Sequence, residues 1–131
     1  MLKINILVME SYKVEGTPRT PFVLMDVNSG VLEIKGISIP NNSYDFFKPL
    51  FEVLDRYVEN PAPKTVINLH LSYINTSTSK ALLELFKKVA ILQNVEFNWH
   101  CEADDEEMLE FGKNYETLLG VSFNFFTFSM N

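Results

Sequence analysis

The sequence has a single cysteine, no long apolar run and no excess of basic residues. Cys101 cannot form a disulfide within the chain, and residues 1–5 lack the charged and apolar regions of a signal peptide, so we expect a cytoplasmic protein. The longest apolar stretches have four or five residues, whereas a helix that crosses a bilayer needs about 20. With 11 Lys and Arg against 17 Asp and Glu, the formal charge is −6. This charge disfavours nucleic acid and anionic lipid as partners, and the sequence predicts a soluble protein.

The chain does have ample material for a hydrophobic core. It has 131 residues, of which 47% are hydrophobic and 13% are aromatic. A chain of this length typically forms one domain that buries about two-thirds of the surface exposed on unfolding. No repeat or low-complexity tract divides the sequence, so we predict a single domain over residues 1–131.

Apolar periodicity and turn residues predict alternating strands and helices. Alternating or β-branched apolar residues predict six strands. They lie at residues 2–8, near the N-terminus, and at residues 21–25, 31–35, 65–71, 95–100 and 121–128. Apolar residues spaced by three and four predict three helices, at residues 42–59, 77–92 and 104–115. The polar segment 26–30 ends in glycine and predicts a hairpin between the second and third strands.

The sequence also predicts where the first and third helices begin. Pro49 lacks an amide hydrogen, so we expect the first turn to be separate or kinked and the regular helix to begin near Phe47. Asn42 or Ser43 would cap this helix. In the third helix, Asp104 and Glu107 have the spacing of a capping box.

Strands that alternate with helices require crossover connections, which make parallel strand pairs. The fold class predicted from the residues is therefore mixed α/β. We expect a largely parallel sheet with an antiparallel hairpin at one side and about three helices packed on it.

The strongest candidate for a functional segment is residues 73–80, which join a predicted strand to a predicted helix. It carries four consecutive hydroxyl side chains, Thr76, Ser77, Thr78 and Ser79. The free amides and the dipole of a helix N-terminus favour an anion, so a phosphate on Thr76 or Ser77 would be stabilised there. The alternative is structural: one hydroxyl is the N-cap and the others only begin the helix. The residues alone leave both interpretations open.

Several motifs in order resemble the SiaC family of bacterial regulatory phosphoproteins, which are small STAS-like domains. The motifs are residues 16–21 (GTPRTP), 30–38 (GVLEIKGIS), 40–50 (PNNSYDFFKPL), 71–80 (LSYINTSTSK) and 95–99 (VEFNW). The resemblance covers almost the whole chain, and it leaves residues 1–15 as an N-terminal extension that would act as an added strand or a contact arm.

The resemblance implies a non-enzymatic switch without a cofactor or metal. In the family a threonine that follows an asparagine is phosphorylated by a dedicated kinase and dephosphorylated by a PP2C-like phosphatase; here it is Thr76 after Asn75. The extra hydroxyls leave Ser77, Thr78 and Ser79 as alternative acceptors. The unphosphorylated form would bind and activate an effector, a diguanylate cyclase, and so act on cyclic di-GMP and biofilm formation. The expected partner-binding residues are Tyr73, Asn75, Thr76, Ser77 and Lys80.

Other functional hypotheses have less support in the sequence. An anti-anti-sigma-type protein with a different effector, a structural subunit and a small enzyme remain as alternatives. His70, His100 and Cys101 would make three zinc ligands if the predicted strands brought them together, but neither HxxxH nor CxxC occurs. The phenylalanines at positions 123, 125, 126 and 128 are expected to lie mostly in the core, with an exposed sheet edge as the alternative.

Overall fold

The computed structural model describes residues 11–129, so the strand predicted at residues 2–8 lies outside the described residues. The described chain forms six strands and three helices in alternating order. The strands are β1 (Tyr12–Val14), β2 (Phe22–Asp26), β3 (Val31–Ser38), β4 (Thr65–Ile74), β5 (Val95–Glu102) and β6 (Phe123–Phe128). The helices are α1 (Ser43–Tyr57), α2 (Thr76–Ala90) and α3 (Glu106–Leu119).

The six strands form one sheet in sequential order, β1-β2-β3-β4-β5-β6. The pairs β1–β2 and β2–β3 are antiparallel, whereas β3 to β6 pair in parallel and are connected by the three helices. Because each crossover joins adjacent strands in the same direction, right-handed connections place all three helices on the same face of the sheet. The prediction of a mixed α/β fold with an antiparallel hairpin and three helices is confirmed.

The core lies between the helices and one face of the sheet. Alternate strand residues such as Ile34, Ile67, Leu69 and Trp99 are buried on this face. Residues at the intervening positions, including His70 and Phe126, are exposed. The sheet therefore has one covered face and one face that no helix of residues 11–129 covers. None of the helices in that range is long and apolar enough to span a bilayer.

The helix α1 begins one turn earlier than the sequence predicts. It is continuous from Ser43 to Tyr57, with Asn42 as its N-cap and Pro49 inside it. The expected interruption before Phe47 is wrong because Pro49 lies on the exposed face of the helix. The carbonyl that loses its hydrogen bond there, that of Asp45, is also on an exposed residue and can be hydrated.

Two other local expectations are corrected by the structure. The N-cap of α3 is Asp105, whose side chain accepts a hydrogen bond from the Met108 amide at 3.0 Å, so the predicted cap at Asp104 is wrong by one residue. In β6, only Phe123 is fully buried, while Phe126 is 47% exposed. The expectation that the phenylalanines lie mostly in the core holds for Phe123 and Phe125, which packs against the core, but is wrong for Phe126, because β6 is the outermost strand among residues 11–129.

Candidate functional site

Two strand-to-helix turns meet at the carboxyl edge of the parallel strands β3 and β4. The β4–α2 turn consists of Asn75, and the β3–α1 turn consists of residues 39–42. The backbone amide of Asn75 donates to the carbonyl of Ser38 at 3.0 Å, which joins Asn75 to the residue where the other turn begins. We call the place where the two turns meet the junction. Neighbouring parallel strands end at the same edge of a sheet, so the N-termini of α1 and α2 lie side by side.

Asn75 holds this junction together through its side chain. Its Oδ1 accepts a hydrogen bond from the Thr78 amide at 2.9 Å, which makes Asn75 the N-cap of α2. Its Nδ2 donates to the carbonyl of Pro40 at 3.0 Å. A hydroxyl residue is therefore not the cap, and the helix begins at Thr76 instead of Ser77. The structural alternative for the four hydroxyls is wrong in this respect.

A cluster of hydroxyl side chains lies beneath the junction. Ser38, Ser43 and Thr78 are fully buried. The Thr78 hydroxyl lies 2.8 Å from the hydroxyls of both Ser38 and Ser43. The Ser43 hydroxyl also lies 2.7 Å from that of Ser77. These contacts satisfy the buried polar atoms and fix α1 against α2 where both helices begin.

The four consecutive hydroxyls are not equivalent. Thr76 is exposed, and its hydroxyl makes no hydrogen bond with the described part of the chain. Ser77 is exposed, but its hydroxyl bonds to Ser43 and lies 3.2 Å from the Oδ1 of Asn75. Thr78 is fully buried, and Ser79 is half-buried and donates to the Thr76 carbonyl at 2.8 Å. Of these four side chains, Thr76 is therefore the one whose exposed hydroxyl has no hydrogen-bond partner in residues 11–129.

The charges at the start of α2 favour an added anion. Asp45 lies in the first turn of α1, and Glu106 and Glu107 lie in the first turn of α3, but the first turn of α2 has no acidic residue. The positive end of its dipole is thus uncompensated by a side chain. Lys80 is exposed and follows Thr76 by four residues, which places both on one side of the helix.

Two exposed tyrosines flank the hydroxyl segment. Tyr73 is 57% exposed and Tyr44 is 56% exposed. Tyr44 follows Ser43, which is bonded to Ser77, so it lies beside the start of α2. Tyrosines exposed in this way are common anchors in protein interfaces. The sequence analysis missed Tyr44, which lies at the edge of the apolar stripe of its helix, with its ring centroid 5.4 Å from that of Phe51.

The helix α3 supports the same turn from the other side. The hydroxyl of Tyr115 donates to the Ser79 carbonyl at 2.8 Å, and burial raises the pKa of Tyr115 well above its usual value. A tyrosine is protonated at physiological pH in any case, and the raised pKa lets Tyr115 keep the proton of this hydrogen bond at higher pH as well. The first turn of α2 is held by α1, β3 and α3 together.

The structure does not form the zinc site weighed from the sequence. His70 and His100 are paired in register on β4 and β5, with ring centroids 5.8 Å apart on the open face. Cys101 follows His100 on the strand, so its side chain points to the opposite face, where it is buried. No group of three metal-ligating side chains occurs among residues 11–129.

The position of His100 predicts a dependence of stability on pH. Burial, and secondarily the neighbouring His70, lower the pKa of His100 below its usual 6.5. Because the unfolded chain then binds the proton more readily, the contribution of His100 to stability is present above pH 6.5 and is lost as the pH falls toward the lowered value. Urea titrations between about pH 7.5 and about pH 5 should show a smaller loss of stability for His100→Gln than for the wild type. Equal losses would contradict this assignment.

The fold is that of solved SiaC structures. A crystal structure of apo-SiaC from Pseudomonas aeruginosa is similar to this chain with a TM-score of 0.83 at 24% sequence identity, covering 91% of this chain and 100% of that chain. A crystal structure of the diguanylate cyclase SiaD in complex with its activator SiaC, from the same species, matches with a TM-score of 0.80 at 25% identity, covering 89% and 99%.

Sequence comparison gives the same assignment. An uncharacterized protein of Pseudomonas aeruginosa (strain UCBPP-PA14) is 26% identical over 111 residues, which are 82% of this chain and 88% of that protein. The family model described as "SiaC family regulatory phosphoprotein" matches residues 14–128, which include every described helix and nearly every described strand residue. The chain therefore belongs to the SiaC family of regulatory phosphoproteins.

Proposed function

We propose that this protein is a non-enzymatic switch controlled by reversible phosphorylation of Thr76. The observation that carries the proposal is the state of Thr76 itself, which is exposed at the first position of α2, in a helical turn that lacks an acidic residue. Membership of a family of regulatory phosphoproteins supports the same conclusion. The burial of Thr78 supports Thr76 over Thr78 as the acceptor in the folded protein.

The proposed partners are a dedicated kinase, a PP2C-like phosphatase and an effector in the cytoplasm. The effector is a diguanylate cyclase, which the unphosphorylated form binds and activates. The SiaC of Pseudomonas aeruginosa is described as the activator of the diguanylate cyclase SiaD, and its similarity to this chain supports this assignment. Through this effector the protein would regulate the synthesis of cyclic di-GMP.

The junction explains how a phosphate could change binding without changing the fold. A phosphothreonine carries about −1.5 to −2 charge, and at the start of α2 the helix dipole and the Lys80 ammonium both favour it. The protein therefore tolerates the group. A partner that packs against Tyr44, Tyr73 and Thr76 would have to desolvate this charge, which is costly unless basic groups meet it.

Phosphopeptide mapping of the protein isolated from its own cells tests the proposal. We expect a fraction of the chains to be heavier by about 80 Da, with the added group on Thr76. A Thr76→Ala variant expressed at the same level should lose this form, whereas Ser77→Ala should keep it. A phosphate found only on Ser77 or Ser79 would refute the assignment of Thr76, and the absence of any phosphorylated form would refute the switch.

A further inference from the structure

Among residues 11–129, the outer edge of β6 is the least protected edge of the sheet. Its six residues, 123–128, contain no charge and no proline, and the pairing of β6 with β5 has no bulge. The other edge strand of the described chain, β1, has three residues and carries an ion pair between Lys13 and Glu15. Short length and charge protect an edge from pairing with another strand, and the residues of β6 provide neither. A charged group from α3, the Glu116 carboxylate, reaches this edge only at Phe123.

Two hydrogen bonds show which backbone groups of β6 point outward. The Phe128 carbonyl accepts from the Ala103 amide at 2.7 Å, next to β5. Successive residues of a strand point to opposite sides, so the groups of Phe125 and Thr127 point to the free edge. The Phe123 amide points outward as well, but it donates to the Glu116 carboxylate at 2.7 Å. At this edge the backbone amides and carbonyls of Phe125 and Thr127 are therefore available to pair with another strand.

We propose that β6 pairs antiparallel with β6 of a second copy of this chain about a twofold axis. In the pairing that uses the amides and carbonyls of both Phe125 and Thr127, Phe125 of each copy lies opposite Thr127 of the other, which gives four backbone hydrogen bonds. Phe126 then lies opposite Phe126. The pairing with Phe125 opposite Phe125 is disfavoured because it needs the Phe123 amide, which Glu116 already occupies.

The side chains on the open face fit this pairing. The rings of His70, His100 and Phe126 form a row across β4, β5 and β6, with neighbouring centroids 5.8 and 4.8 Å apart. In the paired sheet the row continues into the second copy through the two Phe126 rings, which are 47% exposed in one chain. Aromatic pairs directly opposite each other stabilise antiparallel strands. A strand without charges also meets its own copy without like-charge repulsion.

The helix α3 extends the contact beyond the strands. A Cβ at Gly112 would lie 2.7 Å from the Phe125 ring and 2.8 Å from Trp99, so α3 packs closely above β5 and β6. Its copy would lie about two strand spacings away, or roughly 10 Å, which is close to the usual distance between packed helices. A second copy thus adds a helix contact that an isolated peptide strand would not provide.

Analytical ultracentrifugation of the unmodified chain tests the proposal, and its result does not depend on the state of Thr76. We expect a dimer at about 300 μM and dissociation on dilution toward about 1 μM, since the contact is small. Phe126→Lys places two ammonium groups together at the axis and should raise the Kd at least ~30-fold. Ile91→Lys is the matched control, because Ile91 is 75% exposed and lies at the end of α2 beside residues 61–65, and it should leave the Kd unchanged.

A second variant separates loss of pairing from loss of folding. Thr127→Pro removes one outward amide from each copy and spares the bonds to β5, so the monomer should keep its circular dichroism spectrum and lose the dimer. A wild-type chain that stays monomeric at about 300 μM would overturn the proposal. A dimer that persists in both Phe126→Lys and Thr127→Pro would also overturn it, because the interface would then lie elsewhere.

Discussion

Replacing Thr76 with glutamate is expected to weaken binding to the proposed diguanylate cyclase partner by about 30- to 1,000-fold, which corresponds to about 2 to 4 kcal/mol. The change places a charge on an exposed position three residues after the exposed Tyr73, on the surface where the partner is proposed to pack. A surface complementary to a neutral hydroxyl can neither desolvate a carboxylate without cost nor pair with it. Thr76→Ala should keep nearly full affinity because the threonine hydroxyl has no partner within residues 11–129.

Isothermal titration of each variant against the purified cyclase measures this effect. Thr117→Glu is the matched control, because it adds the same charge at an exposed position of α3 and should leave the affinity unchanged. Circular dichroism confirms that each variant is folded. If Thr76→Glu and the phosphorylated protein both bind as tightly as the unmodified protein, the turn before α2 is not the switch.

Replacing Asn75 with alanine is expected to lower the free energy of unfolding by about 2 kcal/mol. The loss of a helix N-cap alone costs about 1 kcal/mol. The Asn75 side chain also donates to the Pro40 carbonyl and accepts from Ser77, so its removal breaks the link between the two turns and adds a similar amount.

Urea denaturation separates the two contributions of Asn75. Asn75→Asp keeps the cap acceptor and loses the bond to Pro40, so it should cost less than half as much as Asn75→Ala. Thr76→Ala, at the neighbouring exposed position, should change stability by less than about 0.5 kcal/mol. A cost below about 0.5 kcal/mol for Asn75→Ala would show that the cap does not hold the junction.

The order of strands and helices could be predicted from the sequence because it depends on local periodicity. The helical spacing of Ala81, Leu85 and Val89 identifies α2 without any information about the tertiary contacts of the chain. The exact caps could not be predicted, since Asp104 and Asp105 are equally suitable N-caps by residue type. The interruption expected at Pro49 was wrong because exposure of the residue, which the sequence does not give directly, decides the cost of a missing amide.

The candidate site was predicted only in part, for a different reason. Hydroxyl residues at a strand-to-helix turn are visible in the sequence, and the family resemblance singled out Thr76. The contact between Ser43 and Thr78 joins residues 35 apart in the chain, so no local pattern reveals that Thr78 is buried. The exposed position of Phe126 likewise follows from β6 being the outermost strand, which is a property of the whole sheet.

The rate of cyclic di-GMP synthesis tests the central claim most directly. The purified diguanylate cyclase would be assayed alone, with the unmodified protein and with protein that carries phosphothreonine at position 76 in every chain. We predict that the unmodified protein raises the rate and that the phosphorylated protein leaves it at the level of the cyclase alone. Equal activation by both forms would contradict the claim that Thr76 is the switch.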